Sequence, residues 1–145
     1  MMSSAAEVLA AYLVAEGLAT RPKPVAAWPV SVNAMPPDAP DNRLTIYNSG
    51  AESQAKNHRT GETYLEHECQ IRVRSKPGSP GYQKLMEILE KLSVLYAVMV
   101  TTDVPETVQL LSVTHKSGPM FLTQEENNQR IHHVMTVSVL INPGV

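Results

Sequence analysis

Apolar and polar residues recur along this chain with two different periods, and each period predicts one kind of element. Near the N-terminus the apolar residues have helical spacing: Ala5, Val8, Leu9, Tyr12 and Leu13. This spacing predicts an α-helix with one apolar stripe. Ser4 and Glu7 have the spacing of a capping box, in which each side chain satisfies a free backbone amide at the helix start. Gly17 is placed to end the helix in a left-handed conformation, with Leu18 packing back on Leu13.

Alternation with a period of two predicts strands further along the chain. The clearest example is residues 64–75, where one face is mainly apolar: Leu65, His67, Cys69, Ile71 and Val73. The opposite face is polar and charged: Tyr64, Glu66, Glu68, Gln70, Arg72 and Arg74. Similar patterns predict strands at residues 28–34, 44–46, 108–114 and 131–141.

A second helix is predicted between the strands. Ser79 is a suitable N-cap, and Pro80 stands at the first helical position, where its missing amide costs nothing. Residues 94–100 are rich in β-branched side chains, so the chain could turn extended there. The order of elements is therefore α-β-β-β-α-β-β, which predicts an α+β fold, a mostly antiparallel β-sheet with two helices packed on one face. A length of 145 residues fits one domain, residues 1–145.

Three segments interrupt these patterns. Residues 35–42 are dense in proline and aspartate and predict an ordered loop or turn. Residues 50–62 have no apolar period, and we expect a long mobile loop with Lys56, His58 and Arg59 as candidate contacts, because long loops often bind partners. Residues 117–119, Ser-Gly-Pro, should break a strand before the apolar residues 120–122. If exposed, this apolar run would anchor an interface through Met120 and Phe121. If not, it forms a short core strand, the interpretation that we favour.

Composition narrows the function classes. The net charge of −2 gives no overall attraction to nucleic acid or to anionic lipid. The single cysteine, Cys69, cannot form an intramolecular disulfide. The N-terminus lacks the basic region of a signal peptide, and the longest apolar run, near residues 92–100, is shorter than the roughly 20 residues of a membrane span. We therefore expect a soluble protein that is intracellular when it is synthesised and has no membrane partner.

Residues that could carry chemistry are few and scattered. His67 and Cys69 share a face, but two ligands on one strand are too few for a tetrahedral metal site. His132 and His133 are adjacent, so on a strand they would face opposite sides. The sequence contains no motif for a nucleophilic serine, a phosphate-binding glycine loop or a zinc protease. We therefore expect no catalytic residue, metal or cofactor, and a protein that is not an enzyme.

The polar face of residues 64–75 is the strongest hint of function. Glu66 and Glu68 lie toward one end and Arg72 and Arg74 toward the other, with Gln70 between them. One interpretation is a solvated outer face. The other is a bipolar strip that docks against the opposite end of a neighbour's strip, and such head-to-tail contacts close into a ring when the rotation fits. The sequence leaves both open.

Several segments, taken in order, resemble the tail terminator family of long-tailed siphophages. An N-terminal helix precedes a strand that runs into a Pro/Asp loop, VSVNAMPPDAPDN at residues 30–42, and then LTIY at 44–47. A long strand ends in arginine, QIRVR at 70–74, and an amphipathic helix follows at 79–96. A Gly-Pro element, GPMFL at 118–122, precedes an acidic turn at Glu125 and a final strand led by Arg130.

This resemblance implies a structural virion protein, made in the cytoplasm of a bacterial host. Such proteins form a hexameric ring on the head-proximal end of the tail tube. The implied partners are further copies of the chain, the tail tube protein and the head-tail connector protein, and genomic DNA passes through without specific binding. The nearest alternative is a head-tail connector, another neck protein or a minor capsid protein. A small-molecule-binding or hydrolytic α+β domain would need a concave pocket with converging polar groups, which the sequence does not show.

Overall fold

The structure is a computed structural model that describes residues 4–21, 27–37, 40–56, 63–104 and 106–142, with the backbone alone for residues 50–56 and 63–65. These residues form two helices and six strands. In chain order the elements are α1 (Ala5–Ala15), β1 (Val30–Val32), β2 (Arg43–Lys56), β3 (Thr63–Ser75), α2 (Pro80–Ser93), β4 (Val98–Thr101), β5 (Thr107–Gln124) and β6 (Ile131–Asn142). The predicted α+β fold is confirmed.

All six strands belong to one sheet, in the order β1-β2-β3-β6-β5-β4. β1 runs parallel to β2, and every other neighbouring pair is antiparallel. The sheet is therefore mostly antiparallel, as predicted. β4 adds one strand to the predicted order, because the stretch of β-branched residues after α2 does turn extended and pairs with the start of β5.

The predicted caps of α1 are confirmed. Ser4 Oγ accepts the amide of Glu7 at 3.3 Å, and the Glu7 carboxylate accepts the amide of Ser4 at 3.4 Å. Gly17 has a φ of +76°, and the Leu18 amide donates to the Leu13 carbonyl at 2.9 Å, which closes the helix in a Schellman motif. The prediction of one apolar stripe is too narrow. α1 is buried on nearly all sides, because the positions between the large residues are small: Ala6, Ala10 and Ala11.

α2 is amphipathic and covers the same face of the sheet as α1. Its inner side contributes the buried residues Leu85, Ile88 and Leu92 to a single core that also contains α1 and the inward residues of β2, β3, β5 and β6. Each such side chain stabilises the fold by roughly 1.5–3 kcal/mol when it leaves water. The outer side of α2 leaves Tyr82 and Met86 about two-fifths exposed. Both helices pack on one face, as predicted, and the other face of the sheet has no helix among the described residues.

Two predictions about loops are wrong. Residues 50–56 do not form a loop, because β2 continues to Lys56 and pairs with the first residues of β3 after an irregularity between Asn48 and Glu52. The polar composition of this segment hid the strand, which is held by backbone pairing. Residues 57–62, the rest of the predicted loop, lie outside the described residues. Residues 117–119 do not end the strand before them either. β5 continues through them to Gln124, with register shifts that absorb the Gly-Pro pair.

Candidate functional site

The polar face of the sheet is the side opposite the helices. The ladders place Gln70 between Tyr47 of β2 and Thr136 of β6, and Arg72 between Thr45 and Val134. Alternation brings the predicted strip of β3 onto this face together with polar residues of both neighbouring strands. The strip is therefore continuous along β3, as the sequence predicted, but its two ends have different surroundings.

Arg74 does not belong to the exposed part of the strip, and its assignment as a subunit contact is wrong. Its side chain is 2% exposed. Its Nη1 donates to the carbonyl of Pro36 at 2.6 Å, its Nη2 to Pro40 at 2.9 Å and its Nε to Asp41 at 3.3 Å. Burial, followed by the nearby positive charge of Arg130, lowers the pKa of Arg74. The three carbonyls occupy this guanidinium inside the subunit, so it cannot reach a neighbour.

A second arginine holds the same loop. Arg130, just before β6, donates from Nε to Oδ1 of Asp41 at 2.8 Å and from Nη1 to the Pro37 carbonyl at 2.7 Å. The Pro/Asp loop, of which residues 33–37 and 40–42 are described, thus folds over one end of the polar face. Beneath it Thr45 is fully buried and donates to the Ala34 carbonyl at 3.2 Å. For its described residues, 35–37 and 40–42, the predicted ordered loop is confirmed.

The other half of the polar face is open, and we call its residues the charged strip: Glu66, Glu68, Gln70 and Arg72. Glu66 accepts a hydrogen bond from Ser138 Oγ at 2.8 Å, and Glu68 is exposed. The Arg72 guanidinium lies 5.6 Å from the centre of the Tyr47 ring. Stacking of this kind holds a cation in place without neutralising it. The charged strip therefore carries both signs of charge on an accessible surface.

The apolar run at residues 120–122 is on the surface. Met120, Phe121 and Leu122 are 47%, 61% and 42% exposed, so the core interpretation that we favoured is wrong. The run lies on β5, where β4 pairs only with residues 107–110 and leaves the outer edge without a described strand beyond that point. The Phe121 ring meets His133 edge-on at 6.1 Å, and Tyr82 of α2 meets the same imidazole at 6.0 Å. Phe121 thus extends an aromatic row from α2 to the sheet edge.

The remaining candidates for chemistry are separated in the fold. Cys69 is fully buried, and burial raises the pKa of its thiol to about 12, which disfavours the reactive thiolate at neutral pH. His132 and His133 face opposite sides, as predicted: His132 Nε2 lies 2.6 Å from a Glu125 carboxylate oxygen, whereas His133 is buried toward α2. Within the described ranges, no three side chains of the types His, Cys, Asp and Glu are grouped so as to hold a metal.

The remaining predicted contacts lie at or beyond the end of β2. Lys56 is the last residue of that strand, and only its backbone is described. His58 and Arg59 fall outside the described residues. Along the outer side of α2 runs an open groove of about 520 Å³ whose described lining, including Tyr82 and Met86, comes from that one helix. No helix in the described ranges is long and apolar enough to cross a membrane.

Comparison with known proteins adds no relative to this picture. No protein-family model matches the sequence, and a search of curated proteins finds no match. The resemblance to tail terminators therefore depends on the order and spacing of the segments quoted above. Beyond this resemblance, the function is inferred from the surface that the described residues expose.

Proposed function

We propose that this protein is a structural virion protein, the tail terminator of a long-tailed phage, which forms a hexameric ring on the head-proximal end of the tail tube. The observation that carries the proposal is the exposed apolar run at residues 120–122 on the open edge of β5. Large apolar side chains at an unpaired strand edge are costly on a soluble monomer, and they are typical of a surface that another chain covers.

The mechanism is geometric and needs no catalytic group. Unpaired strand edges are templates for the addition of further strands. A ring that sits on the last layer of the tube covers the edges of that layer, so polymerisation stops. The opposite surface of the ring then meets the head-tail connector protein. Genomic DNA passes through the centre, and the chain's net charge of −2 is consistent with passage without specific binding.

The charged strip is the proposed polar contact between neighbouring subunits in the ring. Glu68 and Arg72 lie on opposite sides of Gln70 in the strip, so a neighbour in head-to-tail orientation can set its carboxylate against this guanidinium. The aromatic row that ends at Phe121, with Met120 beside it, and Lys56, His58 and Arg59 remain the proposed contacts with the tube or the connector.

The test is the mass of the purified protein over a concentration series, with negative-stain images of the heaviest species and of mixtures with purified tail tubes. We expect six-fold rings and caps at one end of the tubes. Phe121→Asp should abolish caps, and the matched control Val94→Asp, at a position 77% exposed on the turn after α2, should not. A monomer that leaves tube ends bare contradicts the proposal. A ring that binds connector but not tube would make it a neck protein instead.

A further inference from the structure

The two outermost strands of the sheet are much shorter than the strands they cover. β1 pairs only with residues 44–46 of β2, and β4 pairs only with residues 107–110 of β5. Among the described strands, nothing pairs with the outer side of residues 47–56 of β2, which we call the β2 edge. The same holds for residues 112–124 of β5, which we call the β5 edge. As far as the described strands go, the sheet is therefore open at both edges.

The open edges extend toward opposite ends of the sheet. Residues that are paired across neighbouring strands form rows that run across the sheet, and we name each row by the β3 residue that it contains. The two edges overlap only between the rows of Glu66 and Gln70. β1 ends in the row of Ile71, and the β2 edge begins in the next row, that of Gln70. The β5 edge extends in the other direction, down to Gln124 in the row of Ser75. If a second copy stood beside the first without any shift along the strands, part of its β5 edge would therefore meet β1 instead of the β2 edge.

We propose that the β5 edge of one copy of this chain pairs antiparallel with the β2 edge of a second copy, displaced along the strands by about five residues. Three successive antiparallel pairings make β2 and β5 run in opposite directions. A rotation about an axis along the strands preserves those directions, so the two edges meet antiparallel. Gln124, the last residue of the β5 edge, lies in the row of Ser75, and the β2 edge begins five rows away, in the row of Gln70. A displacement of five residues therefore places Gln124 beside the start of the β2 edge and clear of β1.

The displacement agrees with what a closed ring requires. Five residues span about 17 Å along a strand. Because β5 pairs directly with the neighbour's β2, each copy adds the four strands β2, β3, β6 and β5 to the ring, which span roughly 19 Å. The ratio of these two lengths corresponds to a strand tilt of about 42°, within the roughly 35–45° of closed barrels. Each copy uses a different edge on each side, so the contact is head-to-tail and can close. Pro119 has no amide to donate, and pairing is interrupted there.

This register also covers the exposed apolar run. Phe121 lies in the row of Val73, and a displacement of five rows moves it to the row of Glu68. On β2 that row is the irregular stretch between Asn48 and Glu52. The neighbour's strand therefore lies along residues 120–122 and covers them, so this pairing assigns Met120 and Phe121 to a second copy of the chain instead of to the tube or the connector. This inference rests on the proposed function for the number six. The pairing of the edges stands apart from it and replaces the charged strip as the contact between subunits, because the β3 strands of edge-paired neighbours lie four strands apart.

Disulfide cross-linking between two separately purified variants tests the pairing. One variant carries Ser49→Cys on the β2 edge and the other carries Leu122→Cys on the β5 edge, both at exposed positions. The native Cys69 is fully buried, so the wild-type protein is the background control. Thr114→Cys is the matched control on the β5 edge, because it lies in the row of Glu68 and would meet Ser49 only without displacement.

We expect a covalent dimer when Ser49→Cys is mixed with Leu122→Cys, and none from either variant alone. The double variant should give a ladder of bands that ends at the closed ring. A dimer with Thr114→Cys instead overturns the displacement, and a dimer from Leu122→Cys alone overturns head-to-tail pairing. A protein that stays uncross-linked at millimolar concentration overturns self-pairing, and cross-linking of Leu122→Cys only to tube protein assigns the edge to the tube. A ladder that ends at another number keeps the pairing and contradicts the proposed hexamer.

Discussion

The two halves of the polar face differ in one respect that decides what their residues can do. Arg72 and Arg74 are the same residue type, two positions apart, on the same face of β3. Arg72 lies on the open half, stacked on Tyr47, whereas Arg74 lies under the Pro/Asp loop and is 2% exposed. The difference shows that a charged strip on a strand is a surface only where no other segment folds over it.

The composition of the loop explains why it needs these arginines. Pro36, Pro37 and Pro40 have no backbone N–H, so the backbone of this loop has fewer hydrogen-bond donors than acceptors. Arg74 donates to three of the loop's carbonyls, and Arg130 donates to a fourth and to the Asp41 carboxylate. The guanidinium presents five N–H donors in a planar fork, so it reaches acceptors that lie farther apart than the three donors of a lysine ammonium can. The covered half is therefore a stability element, and the open half remains available for binding.

The largest difference between the halves should appear on truncating the two arginines. Arg74→Ala removes a buried guanidinium and its hydrogen bonds to three partly buried carbonyls, and we expect it to lower the free energy of unfolding by about 3 kcal/mol or more. Among the described residues, the matched variant Arg72→Ala loses its stacking contact with Tyr47 and should cost about 1 kcal/mol or less. Urea unfolding of both variants measures this. Equal losses would mean that the loop does not depend on Arg74.

A smaller effect is expected from the ion pair at the edge of the covered half. Asp41→Asn removes the carboxylate that accepts from Arg130 Nε, and its side chain is 39% exposed, so solvent already screens the pair. We expect a loss of about 1 kcal/mol in urea unfolding. Arg130→Ala should cost more, because the Pro37 carbonyl also loses its donor. A loss as large as that of Arg74→Ala would assign the main clamp to Arg130.

His133, on the helix side beneath the aromatic row, should make stability depend on pH. Burial lowers the pKa of His133, so the folded protein binds this proton less readily than the unfolded chain. Its contribution is fully present above the ordinary histidine pKa of about 6.5 and is lost as the pH falls through the lowered value. Thermal unfolding between pH 7.5 and 5 should show this decline, and His133→Gln should flatten it. A slope unchanged by that variant would assign the dependence to another group.

The smallest effect on folding, and a clear effect on assembly, is expected on the open half. Glu68→Arg changes an exposed side chain and should alter the free energy of unfolding by about 0.5 kcal/mol or less. If the charged strip joins subunits, the variant should shift the mass of the protein in solution toward the monomer. Arg72→Glu in the same chain should partly restore the oligomer. Unchanged assembly in both variants would leave the charged strip as a solvated face.

Local patterns were sufficient for the elements that depend on local physics. Three features involve only residues a few positions apart and could therefore be predicted from the sequence. They are the capping box at Ser4, the left-handed Gly17 and the alternation along β3. The α+β class followed from the order of such elements. The C-terminal half of β2 was missed because its residues have no apolar period. Pairing with β3 through the backbone needs none.

The sequence by itself determined the periods, the caps and the two-sided character of β3. Only the tertiary structure decided which charged and apolar residues stay exposed, because exposure depends on segments distant in the chain. Arg74 is covered by a loop more than thirty positions away, through the carbonyls of Pro36, Pro40 and Asp41. Phe121 is exposed because β4 is only four residues long and leaves the β5 edge open. Burial is a property of the assembled layers, and no local pattern records it.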